Sequence, residues 1–181
     1  TKSAQDPSFE INMPVGYALK AGCILKASTE KAETFNVIAE GLDWAYYTTS
    51  VRPESSRYTA NTAMATIATA NTNLDGTGTL GTVLTAASNG TTIQTVTIKA
   101  QVNTTPGMIR LFIYDGTNTK LLREIPVDAV TKSSTANSFS QKIDFNGKGF
   151  ALKASWILKA STEKGESFNV IAEGLDWTYP A

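Results

Sequence analysis

The feature that most constrains this chain is a repeat inside it. Residues 16–46 read GYALKAGCILKASTEKAETFNVIAEGLDWAY, and residues 149–179 read GFALKASWILKASTEKGESFNVIAEGLDWTY. The two stretches are identical at 25 of 31 positions, at an offset of 133 residues. Self-similarity of this kind marks one supersecondary unit used twice. A weaker match runs upstream, where Thr1-Lys2-Ser3 and Ser8-Phe9 correspond to Thr131-Lys132-Ser133 and Ser138-Phe139. Residues 58–130 have no second copy within the 181 residues. The sequence therefore divides into a half-unit (1–47), a linker (48–57) carrying Pro53 and serines, and a complete unit (58–181). Two organisations fit this: a tandem array whose first domain lacks its front half here, or a partial duplication whose extra strands pair elsewhere. Either way the half-unit needs a partner, because half a sandwich cannot cover its own apolar face or its strand edges.

Composition narrows the chemistry. The chain has no histidine, one cysteine (Cys23), and 16 basic against 16 acidic side chains. Without His there is no imidazole base, no Ser-His-Asp system and no HExxH zinc site. One Cys gives no intrachain disulfide and no thiolate metal cluster. Zero net charge argues against a sequence-independent nucleic-acid binder, which needs a basic surplus to displace counterions. No cofactor is expected, and an enzyme is the weaker reading. Apolar runs are too short for a membrane span, and Thr1 to Asp6 has no apolar signal-peptide core.

Threonine occurs 26 times and only 18% of residues are charged, which favours pleated, half-buried strands over amphipathic helices. Alternation over 91–102 places Val96, Ile98, Ala100 and Val102 on one face of a strand. Residues 108–114 are apolar on both faces except at Arg110, as in a central strand, and Asp115-Gly116-Thr117-Asn118 makes a turn. Pro126 marks the returning strand, 120–127, as an edge or a strand end. Residues 138–145 put Phe139, Ile143 and Phe145 on one face, a pattern repeated by Phe9, Ile11, Met13 and Val15. The duplicated segment reads as a hairpin, with arms 156–162 and 167–177 around the charged tip 163–166. Further strands are expected near 82–87 and 60–71, the latter with a short helix as its alternative. The fold class is thus all-β, an antiparallel β-sandwich of jelly-roll type with an immunoglobulin-like sandwich as the alternative, plus the N-terminal half-unit duplicating its C-terminal strands.

Most apparent motifs dissolve on inspection. Gly76-Thr77-Gly78-Thr79-Leu80-Gly81 spells G-x-G-x-x-G, but no apolar strand precedes it and no helix start follows, so it reads as a loop. Glu40/Asp43 and their copies Glu173/Asp176 are acidic pairs three residues apart. On a strand such side chains face opposite sides, and they read as solvated charges at a strand end. They lack the close run of oxygen ligands that a calcium site uses. Asn89-Gly90-Thr91 and Asn103-Thr104-Thr105 match a glycosylation sequon and read as turns.

The residues singled out for packing or interface roles are aromatic. Trp44 and Trp177 close the two copies, followed by Tyr46 and Tyr179. Burial at the end of the domain's own core is the commoner role for such residues, and subunit interfaces the next. Cys23 stands where the other copy has Trp156, so the two copies are expected to sit in different surroundings.

The run MIRLFIYDGTNTKLLREIPV, followed by ALKASWILKASTEKGESFNVIAEGLDW, resembles jelly-roll modules in structural proteins of tailed bacteriophages, of the capsid decoration and head fibre type. The resemblance covers most of 91–179 and, through the repeat, 16–46. It implies a virion structural protein assembled in the host cytoplasm. The implied partners are copies of itself, as a homo-oligomer, and other virion proteins such as the major capsid protein, with no nucleic acid and no membrane. A carbohydrate- or host-surface-binding sandwich module is the alternative.

Overall fold

A computed structural model describes residues 57–145 and 148–178, together with Ile24, Lys26, Ala27 and residues 37–39. The chain divides into two compact units, Thr1–Ala39 and Glu40–Ala181. The described positions of the first unit carry no regular secondary structure and are exposed. The expected strands of the half-unit, the residues Cys23, Trp44, Tyr46 and Tyr179, and the acidic pair Glu40/Asp43 lie outside the described residues.

The second unit is all-β. Nine strands are described: β1 (Arg57–Ile67), β2 (Gly81–Thr85), β3 (Thr91–Ala100), β4 (Gly107–Tyr114), β5 (Thr119–Val127), β6 (Ser140–Asp144), β7 (Phe150–Leu152), β8 (Ile157–Thr162) and β9 (Phe168–Thr178). One sheet has the order β1-β9-β3-β6, with β7 also pairing β3, and the other has the order β2-β8-β4-β5. All pairings between these strands are antiparallel. The two sheets form a sandwich. The pairing nests: the first strand meets the last, β2 meets β8, β3 meets β6 and β7, and β4 meets β5, as in a long hairpin ribbon rolled over on itself.

The alternation anticipated in β3 holds for its core face, where Ile93, Val96, Ile98 and Ala100 are buried. They meet Phe168, Val170 and Ala172 of β9 and, from the facing sheet, Leu84, Ile109, Leu111, Ile113, Leu158 and Ala160 in one cluster. Val102 departs from the expected pattern. It lies past the end of β3 and is 40% exposed, because the ladder with β9 ends at Ala100 opposite Phe168. Residues 109–113 are all buried, as a central strand requires. Pro126 sits on β5, the edge of its sheet, where the missing N–H costs no ladder bond.

The expected hairpin over 156–177 is corrected. Its two arms, β8 and β9, belong to different sheets, and residues 163–167 carry the chain from one layer to the other. Each arm is an interior strand, β8 between β2 and β4 and β9 between β1 and β3. Alternation fixed which face of each arm is apolar, and it contained nothing about which strand lies beside it.

The G-x-G-x-x-G stretch is indeed a loop, and β2 follows it rather than a helix. Gly76 and Gly78 take φ of 83° and 79°. The buried Asn71 organises the loop: its Nδ2 donates to Thr77 O (2.9 Å) and Thr79 O (3.0 Å), and its Oδ1 accepts from Asn73 N (3.0 Å). The loop is tied to the β2-β8-β4-β5 sheet: beside the Ala70–Thr162 bridge Asn71 N donates to Thr162 O, Asn71 O accepts from Arg110 Nη1, and Gly76 lies against Thr119. Phe112 is fully buried although it stands outside the central cluster.

Candidate interaction surface

The opposite sheet has a different outer side. Along β9 the core-facing residues are Phe168, Val170, Ala172 and Gly174, all buried, so Asn169, Ile171, Glu173, Leu175 and Trp177 face outward. The β1 register runs without a break, and it sets Tyr58 beside Trp177, Ala60 beside Leu175, Thr62 beside Glu173 and Met64 beside Ile171. Two apolar groups result, Tyr58/Ala60/Leu175/Trp177 and Met64/Ile171, separated by Thr62 and Glu173. Met64 is 68% exposed and Tyr58 is 49% exposed.

Trp177 is fixed in place. Its Nε1 donates to Thr92 Oγ1 at 2.9 Å, and its ring meets that of Tyr58 edge-on, with centroids 5.0 Å apart at 66°. The expectation that this indole closes the end of the core is therefore corrected. Position 177 has outward parity, and the side chain shields β-sheet surface on the far side from the core. Trp156 does pack against the core cluster, half-buried at the start of β8, with Lys153 Nζ 5.9 Å from its ring centre. Its carbonyl accepts from Ala86 N at 2.8 Å.

The acidic pair behaves as strand geometry requires, and its carboxylates do not converge. Glu173 lies outward and accepts from Thr95 Oγ1 at 2.8 Å. Asp176 has the core-side parity and is half-buried, accepting from Thr91 Oγ1 (2.5 Å) and Asn61 Nδ2 (2.9 Å). It is a structural clasp between β1, β9 and β3, so the reading as a solvated strand-end charge holds for Glu173 and fails for Asp176. Asp75 and Asp115 sit in exposed turns. Hydrogen bonds from the Thr77 hydroxyl and backbone hold Asp75 below the ordinary carboxylate value, and those from the Asn118 and Thr117 backbone do the same for Asp115. No three His, Cys, Asp or Glu side chains gather in a metal-binding group among the described residues.

Sequence reasoning missed Tyr58 and Met64. The signal was present in RYTANTAMATI, whose second, fourth and eighth residues are apolar and share a face, but small alanines on the other face hid which side was the core. It also missed that β1, among the described residues, pairs on one side only. From Tyr58 to Ile67 this strand has no proline and no charge, the devices that usually guard a sheet edge.

No protein-family model and no curated protein matches the chain. Among solved structures it is similar to a chain described as "Cyanophage Pam1 capsid asymmetric unit", with 12% sequence identity and a TM-score of 0.38, covering 72% of this chain and 94% of that one.

Proposed function

We propose that this chain is a non-enzymatic structural component of a tailed-bacteriophage particle, a capsid decoration or fibre subunit that works by assembly with its own copies and with other virion proteins. The observation that carries the reading is the outer face of β1 and β9, where Met64 and Tyr58 stay exposed beside an unguarded strand edge. A face of that kind suits burial against a subunit, with aromatic side chains as anchors. The nested pairing of the strands is the order a jelly-roll winding produces, which agrees with the resemblance of residues 91–179 to phage jelly-roll modules.

Size-exclusion chromatography with light scattering tests it on the full 19.3 kDa chain. The expected result is a mass at a small multiple of the monomer, returned to monomer by Met64→Glu. A monomer at all concentrations overturns the reading. A monomer that binds one glycan on an array, with the signal lost in Tyr58→Ala, replaces it with a carbohydrate-binding module.

A further inference from the structure

Strand β8 has β4 along the whole of one side and two successive partners on the other. Ala160 pairs with Gly81 at the start of β2, and Thr162 is bridged in parallel by Ala70, where Asn71 N donates to Thr162 O at 2.8 Å. Ser161 falls between the two, where the antiparallel neighbour gives way to the parallel one. Leu158 and Ala160 join the core cluster, so Ser161 has the opposite parity and shares its face with Arg110, its partner in the β4 register.

Ser161 is nevertheless only 1% exposed. Its Oγ is the one buried side-chain polar atom among the described residues that has no hydrogen-bond partner in the protein. Buried polar atoms are almost always paired, so this one needs a partner from elsewhere. Ser161 lines a cavity of about 90 Å³, together with Thr66, Ile67, Thr69, Thr79 and Leu80. Thr66, Thr69 and Thr79 are exposed, and through them the cavity reaches solvent.

Size and charge select the occupant. A water needs only about 10–15 Å³ of such space, whereas small-molecule pockets run to about 300–1,000 Å³. No lining residue carries a charge. The guanidinium of Arg110 across the ladder disfavours a cation. It is itself met by Glu124 at 2.9 Å and Glu163 at 3.6 Å, which disfavours an anion. A serine and three threonines offer the two to four polar partners, in rough number, that a buried water uses. Thr66 Oγ1 already donates to Asn169 Oδ1 at 2.9 Å, so toward a water it serves as an acceptor.

We propose that this cavity is a structural water site, in which Ser161 Oγ hydrogen-bonds an ordered water shared with the threonines around it. The water ties β8 to the segment between β1 and β2 at the residue where one ladder partner replaces the other. This goes beyond the virion reading and does not depend on it.

The test joins a crystal structure of the full chain, at a resolution that shows ordered solvent, to urea unfolding of Ser161→Ala. The expected structure has a water about 2.7–2.8 Å from Ser161 Oγ. The variant should lower the folded-to-unfolded ratio about five-fold, the yield of one ordinary hydrogen bond, since a water-mediated bond is nearly as good as a direct one. A hydroxyl without a partner would give the opposite sign, because alanine removes only the unpaired oxygen. A Ser161→Ala variant as stable as the parent or more stable therefore overturns the proposal. So does a structure in which Ser161 Oγ bonds a protein atom, an ion or nothing. The oligomer mass that tests the virion reading is a separate readout.

Discussion

The hydroxyl of Thr91 donates to the carboxylate of Asp176 at 2.5 Å across the β3–β9 ladder, and the same hydroxyl accepts from Ala87 N at 3.0 Å. Thr91 is fully buried, and Asn61 adds a third strand to the clasp. Asp176→Ala leaves a buried hydroxyl without its acceptor and should cost about 2 kcal/mol, since hydrogen bonds to charged groups contribute about 1.5–3 kcal/mol. Urea unfolding of the variant measures this, and Asp176→Asn should recover part of the loss.

Gly174 is a steric requirement. A Cβ there would collide with Thr92 O and stand 3.1 Å from Ile93 Cα, beside the bulge that sets Gln94 out of register. Both obstacles are backbone, so they cannot rotate away. Gly174→Ala should destabilise by about 1–3 kcal/mol, the usual range for overpacking, and thermal melts should show the drop without loss of β-sheet circular dichroism below the transition.

Arg110 is the one expected exception in an apolar strand, and it is 7% exposed. Its Nε bonds Glu124 at 2.9 Å, Nη2 lies 3.6 Å from Glu163, and Nη1 donates to Asn71 O at 3.3 Å. Removing one partner leaves a charge under the loop. Glu124→Ala should cost about 1.5 kcal/mol, the low end for charged hydrogen bonds because Glu124 is itself partly exposed. The paired replacement Arg110→Met with Glu124→Leu should be closer to neutral in the same urea assay.

Asp115 predicts an acid dependence with a definite sign. Its carboxylate accepts from Asn118 N at 2.7 Å, Thr117 N at 2.8 Å and Asn118 Nδ2 at 3.3 Å, which hold its folded pKa below the ordinary value. A lowered folded pKa gives stability that is present above the unfolded value, about 3.9, and is lost as pH falls through the folded one. Unfolding midpoints between about pH 5 and pH 2 should therefore fall less steeply for Asp115→Asn than for the parent.

Much of this architecture was legible as local pattern. The alternation of Val96, Ile98 and Ala100, the doubly apolar run from Ile109 to Ile113, the Asp115 turn and the edge position implied by Pro126 all follow from neighbours within a few residues. What escaped was long-range. Trp156 to Trp177 looked like a hairpin because sequence proximity favours one, while the actual neighbours of β9 are β1 and β3. Trp177 looked like a core lid because large aromatics usually are, and only the β1 register shows its outward parity. Arg110 found its counter-charges on β5 and in the loop after β8, which no reading of its own strand could place.

The nested winding also sets a timetable. As the polypeptide leaves the ribosome, β1 emerges ahead of the other eight described strands and its proper neighbour β9 behind them, so sheet closure waits on a contact of high sequence separation, the slow kind. Residues 35–45, which carry ten of the eleven residues of β9, have emerged before β1 and stand only a short linker away. They are the nearest rival for the same ladder. Local sequence alone therefore does not choose the partner of β1; the choice falls to the rest of the sandwich, in which β9 is also held by β3.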